Sequence, residues 1–114
     1  MNYTRKLTLI ASLKINREQE EEFMELAKLV FPPLASETKW QLTSLKSFPE
    51  ENVQTINIQN LWRTNDETTE QVETGLHRAI ETLTQNVADY QRQLEMLDAL
   101  IVEETISYAT GYTI

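Results

Sequence analysis

Near the start of the chain, hydrophobic residues change period abruptly. Leu7, Leu9, Ala11, Leu13 and Ile15 occupy alternate positions, with Lys6, Thr8, Ser12 and Lys14 between them, and only Ile10 breaks the pattern. A period of two puts one set of side chains on one face of a strand. After Asn16 the period becomes helical: Phe23, Leu26, Ala27 and Val30 recur at i, i+3, i+4 and i+7. A strand followed at once by an amphipathic helix of this kind must lay both apolar faces against one core.

The remaining elements follow by the same reasoning. Asn16 is a candidate N-cap, and Glu18, Glu20, Glu21 and Glu22 complement the positive end of a helix dipole. This acidic cluster reads as a solvated helix start, with metal binding the remote alternative. Phe31-Pro32-Pro33 should end the helix, giving a span of 17–30. A second strand is expected over 38–48, with Trp40 and Leu42 on one face; Leu45 falls out of phase with Leu42, which asks for a bulge or a two-sided strand. Pro49, Glu50, Glu51 and Asn52 read as a turn. A third strand over 53–62 places Ile56, Ile58, Asn60 and Trp62 on one face, making an antiparallel hairpin.

Thr64 and Glu67 fit the capping-box spacing at the start of a second helix. Its apolar series, Val72, Leu76, Ala79, Leu83, Val87, Tyr90, Leu94 and Leu97, advances by threes and fours. A helix of about thirty residues would be roughly 45 Å long, more than a small sheet needs. It either breaks near Gln85-Asn86 or extends onto a partner. A last strand over 102–112 shares Ile106, Tyr108 and Tyr112 on one face.

The order β-α-β-β-α-β is the ferredoxin-like, split βαβ arrangement, an α+β fold with a four-stranded antiparallel sheet. Right-handed crossovers place both helices on one face. Ile10 and Leu61 then lie on the other face, and a homodimer packed sheet to sheet would cover them. With 114 residues, 40% of them hydrophobic, the chain is expected to be one domain, 1–114.

Composition removes several classes of function. Ten basic against eighteen acidic residues give a net charge of −8, the reverse of a nucleic-acid binder. No cysteine is present to supply a thiolate ligand or nucleophile, and a lone His77 excludes paired-histidine metal motifs. Only Gly75 and Gly111 occur, so no glycine-rich loop cradles a phosphate. Neither a cofactor nor a metal is expected. With no long apolar run and no signal-like N-terminus, the expectation is a cytoplasmic protein without a membrane partner.

The first strand, Leu7-Thr8-Leu9-Ile10-Ala11-Ser12-Leu13-Lys14-Ile15, running into Glu22-Phe23-Met24-Glu25-Leu26, resembles the dimeric α+β barrel superfamily. With Ile58-Gln59-Asn60-Leu61-Trp62-Arg63-Thr64-Asn65-Asp66-Glu67, it is similar in particular to the antibiotic-biosynthesis-monooxygenase-like branch, whose third strand typically ends in tryptophan. Members often carry a histidine about nine residues after it; Gln71 stands there, and His77 follows later. Haem-degrading members carry an asparagine in the first strand, and positions 7–15 have none. The turn after the first helix usually has Pro-Gly, where this chain has Pro32-Pro33.

The resemblance implies a small-molecule enzyme like the cofactor-independent monooxygenases, which oxidise phenolic substrates to quinones. A phenolate can react with oxygen directly, so such a protein need only bind, orient and deprotonate it. In that reading Trp62 stacks on an aromatic ligand, Asn60 holds an oxygen and His77 is the catalytic base. The structural reading of the same residues makes Trp62 core, Asn60 a side chain satisfied by backbone, and His77 a surface residue at the edge of the Leu76 stripe. Arg63 and Arg78 could hold an anion or pair with nearby glutamates; Tyr108 and Tyr112 read as sheet or interface aromatics. The alternative function is a non-catalytic homodimeric binding or interaction module, with Leu94 and Leu97 of the long helix engaging a partner.

Overall fold

The computed structural model describes residues 4–51 and 53–113. Positions 1–3, 52 and 114 lie outside the described residues, and with them Asn52 of the expected turn. The elements are β1 (Thr4–Asn16), a 3-10 turn (Arg17–Gln19), α1 (Glu20–Thr38), β2 (Gln41–Pro49), β3 (Thr55–Arg63), α2 (Thr69–Asn86), α3 (Tyr90–Leu100) and β4 (Ile101–Thr113). The sheet runs β2-β3-β1-β4 with every neighbouring pair antiparallel. This is the ferredoxin-like topology, with the second helix of the pattern divided in two. No helix among the described residues is long and apolar enough to cross a membrane.

The alternating residues of β1 and β3 face the helices. Leu7, Leu9, Ala11, Leu13 and Ile15 are buried there beside Ile56, Ile58, Asn60 and Trp62. Cross-strand pairing puts Leu9 opposite Trp62, Ala11 opposite Asn60, and Ile10 opposite Leu61 on the uncovered face. The register of β2 shifts between Leu42 and Ser44, so Leu42 pairs with Trp62 and Leu45 with Asn60. The bulge thus returns Leu45 to the same face as Leu42. On the uncovered face, Lys14 near the end of β1 approaches Glu50 at 3.6 Å and Glu103 of β4 at 3.4 Å.

Five boundaries differ from expectation. The first helix does not stop at Val30: it passes through Pro32 and Pro33 to Thr38, and Lys39 closes it in the left-handed region at φ 62°. Each proline removes one hydrogen bond to the carbonyl four residues earlier, here Lys28 and Leu29. Both are exposed residues, so water can satisfy those carbonyls. Continuing the helix buries Phe31 and Leu34, and Phe31 meets Trp62 edge-on with ring centroids 5.5 Å apart. Burial of two large apolar side chains, at about 1.5–3 kcal/mol each, offsets the lost bonds. The expected second strand therefore loses its beginning to the helix, and Trp40 sits before β2 rather than in it.

At the start of α1, Asn16 is extended but makes no capping bond; the 3-10 turn intervenes. The third strand begins at Thr55, not Val53. The capping box of α2 is one turn later than Thr64 and Glu67. Thr68 Oγ1 accepts from the Gln71 amide and Gln71 Oε1 from the Thr68 amide. Thr64 instead is buried and donates to the Leu7 carbonyl at 2.9 Å, and Glu67 accepts from Trp40 Nε1 at 2.9 Å. Both residues are claimed by contacts distant in sequence.

The long apolar series breaks after Asn86. Asp89 takes φ 66°, and α3 folds back against α1. Val87, counted in the buried series, is exposed at this corner. Tyr90 is fully buried, its hydroxyl donating to the Val30 carbonyl at 2.9 Å, and burial pushes its pKa up to about 12. Leu97 is core and Leu94 packs against it. The series therefore does not overrun the sheet: Leu97 and Leu94 pack within the chain.

Candidate functional site

Between the helix face of the sheet and the pair α2–α3 lies a cavity of about 270 Å³. Asn60, Trp62 and His77 all line it. Each arrives by a different rule. On β3, Asn60 and Trp62 are two apart and so share the inward face. Across the sheet Trp62 pairs with Leu9 and Asn60 with Ala11, whose small side chain leaves space beside the asparagine. On α2, His77 follows Leu76 around the helix; Leu76 is partly buried against the core, and His77 is exposed at the mouth.

Hydrogen bonds fix the floor. Trp62 Nε1 donates to Asn60 Oδ1 at 2.6 Å, and Asn60 Nδ2 donates to the Ala11 carbonyl at 3.2 Å. Both polar groups are thus satisfied inside the protein, as buried polar groups require. The Trp62 indole is held in plane from one side by this bond and from the other by Phe31. Phe31 in turn meets Phe23 edge-on at 6.5 Å. Asn60 retains a second lone pair and a second N–H, so it can still meet a ligand.

Two acidic residues complete the lining: Asp98 on α3 and Glu104 on β4. Sequence reasoning did not single out either. Asp98 stands at i+4 from Leu94, on the face of the cavity-lining leucines, and Glu104 stands two before Ile106 on one strand face. Those spacings were the available signals. Asp98 is an exposed residue, yet the apolar surroundings on its inner side strip it of water and push its carboxyl above the usual carboxylate value. Tyr108, beside Leu9 on the same face, has its hydroxyl pKa raised first by burial and then by the charge of Glu73. Trp40 also reaches the cavity and faces Gly75 on α2, where a Cβ would lie 3.5 Å from Trp40 Cζ2, an ordinary van der Waals contact.

The other depressions are of a different kind. A groove of about 500 Å³ at the start of α2 holds Asp66, Glu70 and Arg78, and one of about 610 Å³ lies at the α2–α3 corner. Both are polar surface features. The smaller cavity is lined mainly by apolar and aromatic groups, which is the character of small-molecule sites. Arg78 belongs to the polar groove, not to the cavity, and Arg63 is exposed at the end of β3. Tyr112 is exposed. Among the described residues, no group of three or more acidic or histidine side chains is gathered to hold a metal ion.

The same fold occurs in solved structures of other proteins. The chain superposes on a NIPSNAP domain protein from Burkholderia xenovorans with a TM-score of 0.63 at 9% identity, over 90% of this chain and 91% of that one. A NIPSNAP family protein with unknown function from Agrobacterium tumefaciens gives 0.63 at 10% identity, over 93% and 87%. A putative antibiotic biosynthesis monooxygenase from Bordetella bronchiseptica gives 0.57 at 13% identity, over 93% and 96%. The chain therefore has the fold shared by these NIPSNAP and antibiotic-biosynthesis-monooxygenase-like structures. No protein-family model and no curated protein matches the sequence.

Proposed function

We propose that the protein binds a small aromatic molecule in the cavity between sheet and helices, and that it acts there on a phenolic substrate. The observation that carries this reading is the convergence of Asn60, Trp62 and His77 on one largely apolar cavity. At about 270 Å³ it lies at or just below the small end of ligand sites, about 300–1,000 Å³, which suits one or two fused rings. The Trp62 face is the natural stacking surface, and the free valences of Asn60 meet the ring oxygen.

In this reading His77, at the mouth, takes the phenolic proton. Oxidation then balances with dioxygen alone: a phenol and one O2 give a quinone and one water, the second quinone oxygen and the water oxygen both coming from O2. The likeness in fold to a putative antibiotic biosynthesis monooxygenase supports this second step as a proposal. The hydrogen bonds already made by Asn60 favour a second reading, binding without catalysis. Quinone formation from 1-naphthol in air, followed by absorbance with wild type and His77→Gln, separates the two. Catalysis predicts product from wild type and a loss of about 100-fold in the variant; binding alone predicts no product from either.

The partner in this proposal is a second copy of the chain. The sheet is one layer, and Ile10 and Leu61 meet at the centre of the face that no helix covers, with Phe48 exposed on the same face. Native mass spectrometry of gently purified protein should show a dimer, and extra mass on it would reveal a retained ligand. A monomer would contradict the dimer.

A further inference from the structure

Asp98 and Glu104 are the charged groups of the cavity that the proposed reading leaves unused. They come from α3 and β4 and line the same space as His77 of α2. Neither carboxylate makes a hydrogen bond or an ion pair within the protein among the described residues. No lysine or arginine lies among the described lining residues. Apart from these two, His77 and Asn60, the lining is apolar or aromatic. The chain as a whole carries a net charge of −8.

An apolar chamber with two free carboxylates and no fixed cation discriminates by charge. A ring bearing a carboxylate or phosphate would bring its anion against Asp98 and Glu104 with nothing to neutralise it. A ring bearing an ammonium would replace water on these oxygens with N–H donors, in a charge-assisted contact. The apolar walls on one side of Asp98 weaken solvent screening there and strengthen both effects.

We infer that the cavity selects a small aromatic amine, its ring against Trp62 and its cationic nitrogen between Asp98 and Glu104, and rejects aromatic carboxylates of the same size. This deepens the proposal that the cavity binds a small aromatic molecule and rests on it; an amine-bearing phenol satisfies both. The two acidic residues set specificity, while the ring contacts supply the bulk of the affinity.

The test is calorimetric titration with three ligands sharing one ring system: 2-naphthylmethylamine, 2-naphthol and 2-naphthoate. The amine should bind about tenfold or more tightly than the carboxylate, with the naphthol between them. In Asp98→Asn/Glu104→Gln that ratio should fall to about threefold or less. Both side chains are exposed and both substitutions keep their shape, so folding should survive; Glu104→Gln alone, on an exposed strand, is the second variant and should lower the ratio part of the way. Equal binding of all three ligands would overturn the inference and leave the cavity reading standing. A preference for the amine that persists unchanged in the double variant would also overturn it, assigning the effect to overall charge. No binding by any of the three would remove the cavity reading, and this inference with it.

Discussion

The cavity has two unlike sides. Its floor, built by α1 and β3, is closed: Phe31, Asn60 and Trp62 are buried, and every polar atom of the Asn60–Trp62 pair has a partner. Its outer wall, where β4 meets α2 and α3, is open: His77, Asp98, Glu104 and Ile106 are all exposed. β4 is an edge strand bonded only to β1, and no helix covers its middle. The floor is committed to stability and shapes the space. The wall contributes little to the core, so substitutions there should cost little stability. Chemistry on such a scaffold is expected where the fold can spare the residue.

That contrast can be tested by substitution. The largest effect belongs to Phe31→Ala, which empties the place where α1 meets Trp62; it should cost about 3–5 kcal/mol in urea denaturation. A loss below about 1 kcal/mol would mean that the continuation of α1 through Pro32 and Pro33 does not hold the floor. Asn60→Leu leaves Trp62 Nε1 buried without a partner, while the Ala11 carbonyl keeps its ladder bond, and should cost about 1–3 kcal/mol. Adding Trp62→Phe removes the orphaned donor, so the double variant should be more stable than the sum of the single losses by about 1 kcal/mol or more. Strict additivity would show that the indole bond is unimportant.

On the open wall the expected stability effects are small. His77→Gln should change stability by less than about 0.5 kcal/mol, and a larger loss would place His77 in the core instead. Asp98→Asn should be neutral or slightly stabilising at pH 7, raising Tm by no more than about 2 °C. The sign follows from burial. The folded state holds the Asp98 proton more tightly than the unfolded state does. Its contribution is therefore most favourable below the unfolded carboxylate pKa and is lost as pH rises through the folded value. The advantage of the asparagine variant should accordingly vanish in acid, which a melting series against pH would show.

Much of this was legible because period and burial agree. β1 and β3 announce themselves by alternation, and the element order gives the sheet topology once right-handed crossovers are assumed. The bulge in β2 was visible as a phase slip between Leu42 and Leu45. What sequence could not supply were choices made by distant partners. Local rules stop α1 at Pro32, but Phe31 and Leu34 gain a core by continuing. Local rules cap α2 at Thr64, but Thr64 is bonded to Leu7 and Glu67 to Trp40 across the fold. Around the cavity, the shared inward face of Asn60 and Trp62 is readable from their spacing of two on β3. Asp98 and Glu104 were missed because a charged residue beside an apolar stripe reads as solvated surface until α3 and β4 are seen to enclose a common space.

The most direct test of the cavity as a ligand site is a proton–nitrogen correlation spectrum titrated with 2-naphthol. The indole N–H of Trp62 and the backbone amides of Ala11, Asn60 and Leu97 should shift together and saturate at one ligand per chain. If those signals stay fixed while only exposed residues such as Val53 and Val87 respond, the cavity is packing space and the functional account is wrong.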